Sequence, residues 1–463
     1  MSKKGIHFQV SERKLLLRGM DLIMVVFGLY LLGLFFDYTY LEISWQNSVA
    51  IFLLLLYLAV FGTVFEIYDL QKSSQLDVTF RTIVLMVSTS VLFYFLTPVL
   101  TPFLPEKRLQ IVYFYLTIII SIFFWRVAYV SLIASPRFYK KVLLVGEVTY
   151  VEAFINGLSQ SDPHYKIVGF VNCEFPKEHP VKFKGVKEFQ SNDLMQVIID
   201  EKISEVVVAS FNSETITAEI YSDLMQLLER GFTIREYTQV YEEITHRVPI
   251  QFVGKDFYKY FPFSRSNQNK LYLFFNRVID ILFSVVGLVS GILILPFVLI
   301  GNLFGNRGPL LYKQERVGKN GKIFKIVKLR SMIVNAETNG AEWARVDDVR
   351  ITKFGKFLRR SRIDEIPQFF NVLKGEMSMI GPRPERKFFV DELSRTIPFY
   401  ETRHIVKPGL TGWAQVKTRY GGSVDESLVK LQYDLFYIKH RSIFLDLNIM
   451  VKTLSTVLYY RGQ

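Results

Sequence analysis

The chain has 463 residues, 50% of them hydrophobic, and a mean hydropathy of +0.22. This composition is too apolar for an ordinary soluble protein, and the length allows two or three domains. A formal net charge of +13 suits anionic partners, such as a membrane surface, a nucleic acid or a phosphorylated substrate. The lone cysteine, Cys173, excludes an intrachain disulfide framework and a multi-cysteine zinc site.

Four apolar runs, each long enough to span a bilayer, occupy the first part of the chain. The runs lie near Leu15–Phe36, Val49–Phe65, Ile83–Leu100 and Leu109–Ile133. Basic residues precede the first run and follow the fourth, whereas the loop of residues 37–47 has no lysine or arginine. This charge distribution predicts a four-helix transmembrane bundle over residues 1–138 with both ends in the cytoplasm.

Two ionisable residues, Asp21 and Arg126, lie near or within these runs. An ionisable residue inside a bilayer can mark a functional site. Because both residues are close to run ends, we instead expect their side chains to extend to the membrane interface.

Beyond Tyr139 the pattern changes to strands that alternate with helices. Buried parallel strands are predicted at Lys141–Gly146, Lys166–Val171 and Glu205–Ala209, and helices near Tyr150–Leu158, Asp193–Lys202 and Glu214–Arg230. This order predicts a Rossmann-like doubly wound unit over residues 139–256. A dinucleotide site would need more glycines after Gly146, and Glu147 would repel a pyrophosphate. We therefore expect a structural or regulatory role for this unit.

A further apolar run begins after Asp280 and ends near Leu303. It is long enough to cross a bilayer, but basic residues lie on both of its flanks. This charge pattern predicts a re-entrant helix over residues 276–304 whose two ends face the cytoplasm, with Pro296 as its break. The alternative is a plain fifth span.

The chemistry of the chain is concentrated in the stretch Leu358–Pro384. Asp364 and Glu365 follow three arginines, and Ser361 is spaced from Asp364 as in a capping box, which predicts a helix that starts at Ser361. The helix dipole and the guanidinium groups would favour the ionised form of Asp364. Such a carboxylate suits a nucleophile that attacks phosphorus, although a simple capping residue beside solvated arginines is the alternative.

This stretch resembles the signature of the bacterial sugar transferase family, the monotopic phosphoglycosyl transferases. The resemblance covers residues 276–463 in ordered blocks. The blocks are Gly308–Gly318, Phe324–Met332, Leu358–Pro384 and Lys407–Val416. It implies transfer of a sugar 1-phosphate from a UDP-sugar to undecaprenyl phosphate with release of UMP. The reaction would be the first membrane step of exopolysaccharide or capsule assembly, at the cytoplasmic face of the bacterial inner membrane.

The resemblance also implies roles for individual residues. Asp364 would form a phosphosugar–aspartyl intermediate, and Glu365 would hold Mg²⁺. The candidate phosphate ligands are Lys328, Arg330, Arg359 and Arg383. The family usually breaks its membrane helix at a Ser-Pro pair, and here the pair is Leu295–Pro296.

Together these patterns predict a multidomain membrane protein whose α/β catalytic domain spans residues 257–463. Short strands are expected at Tyr312–Arg316 and Lys322–Arg330, and helices at Leu428–His440 and Leu445–Tyr460. The last helix either lies in the membrane interface or packs against the catalytic core.

Two other functions stay open at this point: an oxidoreductase that modifies nucleotide sugars, and a non-enzymatic membrane scaffold. The transferred sugar is glucose, galactose or an N-acetylated amino sugar. A homodimer through the bundle is one option for assembly, and no nucleic-acid partner is expected.

Overall fold

The computed structural model describes residues 10–36, 38–68, 76–105, 107–132, 139–147, 151, 155, 165–173, 186–190, 194–209, 216–250, 269–334, 336, 348–418 and 423–458. The chain forms two compact units, Met1–Thr245 and His246–Gln463.

The first unit begins with four helices that are each long and apolar enough to cross a membrane. They are α1 (Val10–Phe35), α2 (Ser48–Val64), α3 (Leu76–Phe95) and α4 (Leu109–Leu132). Their inward side chains, among them Leu17, Leu54, Ile83 and Phe114, form one hydrophobic core. The four predicted apolar helices are therefore present in the structure.

The third of these helices lies further towards the amino terminus than predicted. It is described from Leu76 onwards, and Thr79, Ile83 and Met86 form its buried face at helical spacing. It ends at Phe95, since Pro98 disfavours helical geometry in the residue before it.

The expectation that Asp21 and Arg126 extend to the interface is wrong. Arg126 Nη2 donates to Asp21 Oδ2 at 2.5 Å, and both side chains are buried between α1 and α4. The pair forms because each charge neutralises the other inside the helix cluster, away from water.

A parallel sheet follows in the first unit. Its strands are β1 (Lys140–Gly146), β2 (Tyr165–Asn172), β3 (Lys187–Phe189), β4 (Glu205–Ala209) and β5 (Ile234–Glu236), in the order β3-β2-β1-β4-β5. The accompanying helices are α5 (Leu194–Asp200), α6 (Ala218–Glu229) and α7 (Tyr237–Thr245). All the strand pairs are parallel, as predicted. The helix predicted near Tyr150–Leu158 lies largely outside the described residues.

The second unit begins with a long helix and a β-hairpin. These are α8 (Lys270–Gly305), β6 (Leu311–Val317) and β7 (Ile323–Leu329), the two strands being antiparallel. The next elements are α9 (Lys353–Arg360), a 3-10 turn (Ile363–Glu365), α10 (Gln368–Lys374) and β8 (Ser378–Ile380). The last elements are α11 (Lys387–Thr396), a 3-10 helix (Tyr400–Ile405), β9 (Gly409–Thr411), α12 (Trp413–Lys417), α13 (Val424–His440) and α14 (Ile443–Leu458).

The amino-terminal half of α8 packs against α10 and β8. Arg277 donates to the carbonyls of Val372 at 2.7 Å and Leu373 at 2.6 Å. Asp280 Oδ1 accepts from the backbone N–H of Met379 at 2.7 Å. The start of the helix is thus joined to the elements that follow the carboxylate pair.

The carboxyl-terminal half of α8 packs against α9 with the same face. A Cβ added to Gly301 would clash with the ring of Phe354, so the missing side chain allows this close contact. The opposite face exposes large apolar side chains, including Phe283, Leu293 and Phe297. Both halves of this membrane-type helix therefore contact the folded unit along one side.

The helix runs from Lys270 to Gly305 as one element with Pro296 inside it, so its backbone stays helical at the predicted break. A bend of the helix at Pro296 stays a prediction. Pro296 has no N–H to donate to the preceding turn, which weakens the helix at that point. Among the described residues, five helices have the length and hydropathy of membrane spans, and α8 is one of them.

Candidate active site

The capping box predicted at Ser361 is wrong. Thr352 caps α9 instead, with its Oγ1 accepting from the N–H of Gly355 at 2.9 Å, and the helix ends at Arg360. Ser361 then caps the carboxyl end of α9, where its hydroxyl donates to the Phe357 carbonyl at 2.8 Å. The basic last turn of α9 favours this end, because cations stabilise the carboxyl terminus of a helix.

The 3-10 turn after α9 presents the two carboxylates. Arg362 takes a left-handed conformation with φ of +59°, which redirects the chain between α9 and the turn. Ile363 packs against the cluster of Val298, Leu329 and Leu358, so the turn is anchored on α8, β7 and α9 together. The carboxylates are held in a fixed place by these long-range contacts.

Glu365 lies at the centre of three cations. Its carboxylate is 3.0 Å from Arg383 Nη2, 3.2 Å from Arg362 Nη1 and 3.5 Å from Lys328 Nζ. Burial by itself would raise the pKa of Glu365, but the charges of Arg383, Lys328 and Arg362 outweigh it and hold the pKa well below its ordinary value. Glu365 is therefore ionised throughout the physiological range.

Asp364 has the opposite electrostatic environment. Burial raises its pKa to about 6, and the negative charge of Glu365 adds to this effect against the opposing charges of Lys328, Arg359 and Arg362. The expectation that its surroundings favour the ionised form of Asp364 is thus wrong, because the nearby cations pair with Glu365. Oδ1 of Asp364 is buried with no hydrogen-bond partner among the described residues.

A carboxylate with a raised pKa is still mainly ionised at neutral pH and is more basic than an ordinary aspartate. Lys328 is also perturbed: burial lowers its pKa to about 8, against the charge of Glu365. The site therefore combines a basic carboxylate with a partly buried ammonium group.

Of the predicted phosphate ligands, Lys328 and Arg383 form ion pairs with Glu365. Arg330 instead binds backbone carbonyls. The Arg330 guanidinium donates to the carbonyls of Pro309 at 2.7 Å and Met332 at 2.9 Å, and to the Asn306 carbonyl. These contacts join the end of α8 to the end of β7. Strand alternation would place residues 328 and 330 on one face, but β7 ends at Leu329.

Arg359 lies beside Asp364 and is oriented by Ser331. Its Nε donates to Ser331 Oγ at 2.9 Å, and its charge opposes the raised pKa of Asp364. Arg359 is therefore near the aspartate rather than the glutamate.

Two residues of the site were not singled out by sequence reasoning. Arg362 pairs with Glu365, and its position next to the carboxylates was the available signal. Gln368 is 4% exposed, and its Nε2 has no hydrogen-bond partner among the described residues. Its spacing of four residues from Asp364, which places both on one face of a helical segment, was a weaker signal.

Asp364 and Glu365 are adjacent carboxylates that could offer oxygen ligands to a metal ion. No group of three or more histidine, cysteine, aspartate or glutamate side chains that could hold a metal occurs within the described ranges. Mg²⁺ commonly takes one or two carboxylates and shares substrate phosphates. The unpartnered Asp364 oxygen beside Glu365 fits such an ion.

The chain is similar to known sequences in this region. The model of the bacterial sugar transferase family matches residues 271–460. A UDP-N-acetylgalactosamine-undecaprenyl-phosphate N-acetylgalactosaminephosphotransferase of Aeromonas hydrophila is 40% identical over 256 residues, 55% of this chain and 59% of that protein. A UDP-glucose:undecaprenyl-phosphate glucose-1-phosphate transferase of Klebsiella pneumoniae is 39% identical over 196 residues, 42% of each chain.

A third relative, from Caulobacter vibrioides, has the same printed name as the Klebsiella protein. It is 37% identical over 187 residues, 39% of this chain and 69% of that protein. The chain belongs to the bacterial sugar transferase family. The chain spans only about three fifths of the Aeromonas relative and less than half of the Klebsiella one.

Proposed function

We propose that this protein transfers a sugar 1-phosphate from a UDP-sugar to undecaprenyl phosphate and releases UMP. The observation that carries the proposal is the buried Asp364 carboxylate, which has an unpartnered oxygen beside a Glu365 surrounded by three cations. Membership of the bacterial sugar transferase family and the names of the relatives support the choice of reaction.

The reaction has two displacements at one phosphorus. An Asp364 oxygen attacks the β-phosphorus of the UDP-sugar, forming an Oδ–P bond while the bond to the bridging oxygen breaks and UMP leaves with the electron pair. A phosphate oxygen of undecaprenyl phosphate then attacks the same phosphorus. The Oδ–P bond breaks, the aspartate carboxylate is restored, and undecaprenyl diphosphate-sugar is released.

The surrounding side chains would bind and orient the diphosphate. Lys328, Arg362 and Arg383 pair with Glu365 in the structure and would turn towards the incoming phosphate oxygens. Glu365 would hold Mg²⁺, which when bound reduces the repulsion between the carboxylates and the diphosphate. The buried amide N–H₂ of Gln368 would supply a further donor to a phosphoryl oxygen.

We further propose that α8 is re-entrant and holds the site at the cytoplasmic face of the bacterial inner membrane. One face of α8 contacts α10 through Arg277 and α9 through Gly301. A helix that crossed the bilayer would carry the charged α9 and the carboxylate turn into hydrocarbon, which is very unfavourable. Labelling of a cysteine placed at Gly308 from the periplasmic side would overturn this placement.

The first donor to test is UDP-N-acetylgalactosamine, because the Aeromonas relative named for that sugar aligns over 256 residues. UDP-glucose is the second, on the names of two further relatives. The proposed product starts exopolysaccharide or capsule-type glycan assembly.

The experiment measures UMP released by the purified protein in lipid nanodiscs with undecaprenyl phosphate, Mg²⁺ and a panel of UDP-sugars. We expect release that depends on one donor and on the acceptor. A folded, inserted protein that releases no UMP with any donor would refute the proposal and leave a scaffold or an oxidoreductase to consider. Donor without acceptor should leave a phosphosugar adduct on Asp364, detectable by mass spectrometry.

A further inference from the structure

Arg383 reaches Glu365 from a short irregular segment, residues 381–385, between β8 and α11. Arg383 Nη2 is 3.0 Å from Glu365 Oε1. An irregular segment has few regular backbone hydrogen bonds, so the direction of its side chains depends on contacts from outside. The groups that hold its carbonyls are therefore informative.

Backbone N–H groups hold two of these carbonyls, Gly409 that of Pro382 and Val317 that of Glu385, both at 2.9 Å. The carbonyl of Arg383 itself is held by Arg403, which is 6% exposed and lies in the 3-10 helix Tyr400–Ile405. Its Nη2 donates to the Arg383 carbonyl at 3.0 Å and to Asp434 Oδ2 at 2.7 Å. Its Nη1 donates to the Tyr400 hydroxyl at 2.6 Å. One guanidinium thus ties the backbone of Arg383 to α13 and to its own helix.

Arg316 makes a second contact with the same segment. Its Nη1 donates to the Pro384 carbonyl at 3.2 Å and is 3.5 Å from Glu385 Oε2. Pro382 and Pro384 on either side restrict the backbone of Arg383 further. The carbonyls of Arg383 and Pro384 are consequently held by Arg403 and Arg316, two arginines other than those that pair with Glu365.

Burying Arg403 with Asp434 is expensive in desolvation, and such a pair stabilises a fold less than apolar packing of the same volume. Asp434 is 1% exposed, and burial raises its pKa to about 6 against the charge of Arg403. The planar fork of an arginine, unlike a lysine, can bind a carboxylate and a carbonyl at fixed angles at once. The geometry therefore suits orientation better than stability alone.

We propose that Arg403, oriented by Asp434 and Tyr400, is a positioning residue that sets the direction of Arg383 and thereby the binding of the donor diphosphate. The inference rests on the proposed function for its link to the donor. It needs no contact between Arg403 and any substrate.

A double-mutant cycle tests this inference. Arg403→Lys, Arg383→Ala and the double variant are compared for UMP release at varied UDP-sugar and at varied undecaprenyl phosphate. We expect Arg403→Lys to lower kcat/KM for the donor between about 10- and 100-fold, because small misplacements of a binding group are costly. It should leave the acceptor KM unchanged.

The double variant should be no worse than Arg383→Ala, because Arg403 acts through Arg383. Losses that multiply in the double variant would overturn the inference. If Arg403→Lys does not fold, Tyr400→Phe takes its place in the cycle. This variant removes the hydroxyl that accepts from Arg403 Nη1.

A matched control is available at Asp446. This buried carboxylate of α14 accepts from Tyr272 at 2.5 Å and Tyr437 at 2.9 Å, so its hydrogen bonds go to α8 and α13 and not to the 381–385 segment. Asp446→Asn should lower the thermal midpoint while preserving donor kcat/KM. If Asp446→Asn lowers the donor kcat/KM as much as Arg403→Lys does, the effect is general destabilisation and the inference is refuted.

Hydrogen exchange separates this inference from the proposed function. Amide exchange in a peptide covering residues 381–386 should be faster in Arg403→Lys than in wild type, and unchanged in Asp446→Asn. Unaltered exchange in Arg403→Lys would refute the positioning of Arg383 whatever the activity. Faster exchange in a protein whose wild type releases no UMP would refute the proposed function but support the positioning of Arg383.

Discussion

Two glutamates with little solvent exposure, one in each unit, have cations close to their carboxylates and yet differ in what they can do. Glu205 in the sheet accepts from Lys140 at 2.5 Å and from the Tyr165 hydroxyl at 2.8 Å, with Arg235 at 3.9 Å. Glu365 has Lys328, Arg362 and Arg383 around it at 3.0 to 3.5 Å. Each carboxylate therefore has three polar partners, of which at least two are cations.

The difference lies in the neighbours. Both oxygens of Glu205 have partners, and its cluster joins the first residues of β1, β2 and β4. Glu365 has Asp364 as its neighbour. Burial raises the pKa of Asp364, and its Oδ1 has no hydrogen-bond partner among the described residues. The Glu205 cluster is complete in itself, whereas the Asp364–Glu365 site keeps an unpartnered oxygen beside cations, which is why we propose it as the substrate site.

The largest expected effect is at Asp364. Asp364→Asn removes the proposed nucleophile and should lower UMP release by at least about 1,000-fold, the order of effect typical for loss of a covalent nucleophile. The variant should keep the wild-type circular dichroism spectrum and membrane insertion, because the amide has the same volume. Substantial activity in a purified sample, free of contaminating wild type, would remove Asp364 from the mechanism.

The next effect is at Glu365. Glu365→Gln should lower kcat/KM by about 100-fold, the scale of losing one electrostatic group in an active site. It should also move the acid limb of the pH profile of kcat/KM to lower pH, since loss of the neighbouring negative charge lowers the pKa of Asp364. If the acid limb does not move in Glu365→Gln, the group that titrates there is not Asp364.

The wild-type pH profile should be bell-shaped. Burial and the charge of Glu365 raise the pKa of Asp364 to about 6, so activity should fall as pH decreases through that value and the nucleophile is protonated. Burial lowers the pKa of Lys328 to about 8, so activity should fall again as pH increases and the ammonium loses its proton. Lys328→Arg should remove the alkaline limb alone, since arginine stays charged.

The smallest effect on catalysis is expected at Glu205. Glu205→Gln leaves Lys140 and Tyr165 without their charged partner and should destabilise the protein by about 3 kcal/mol, as for a broken buried ion pair. The kcat for UMP release at a temperature well below the unfolding midpoint should be unchanged. A kcat defect on the scale of Glu365→Gln would abolish the distinction between the two glutamate clusters.

Local patterns explain which features could be predicted. The apolar helices follow from runs of about 20 apolar residues, a length set by the bilayer itself. The parallel sheet follows from buried β-branched segments such as Glu205–Ala209. The carboxylate pair was visible because its residue types are adjacent in the chain.

Contacts between distant residues could not be predicted in the same way. The ion pair of Asp21 and Arg126 joins residues 105 positions apart. Arg330 has the residue type of a phosphate ligand, but its position just beyond β7 gives it the carbonyls of Pro309 and Met332. Ser361 has the spacing of a capping box, but α9 was already capped by Thr352.

The amino-acid sequence by itself determined that this is a membrane-type chain with a parallel sheet and an Asp364–Glu365 pair among cations, because hydropathy, strand pattern and residue type are local properties. Only the tertiary structure decided that the cations pair with Glu365 and that burial raises the pKa of Asp364. The physical reason is that electrostatic environment depends on which side chains meet in space and how much water is excluded from them.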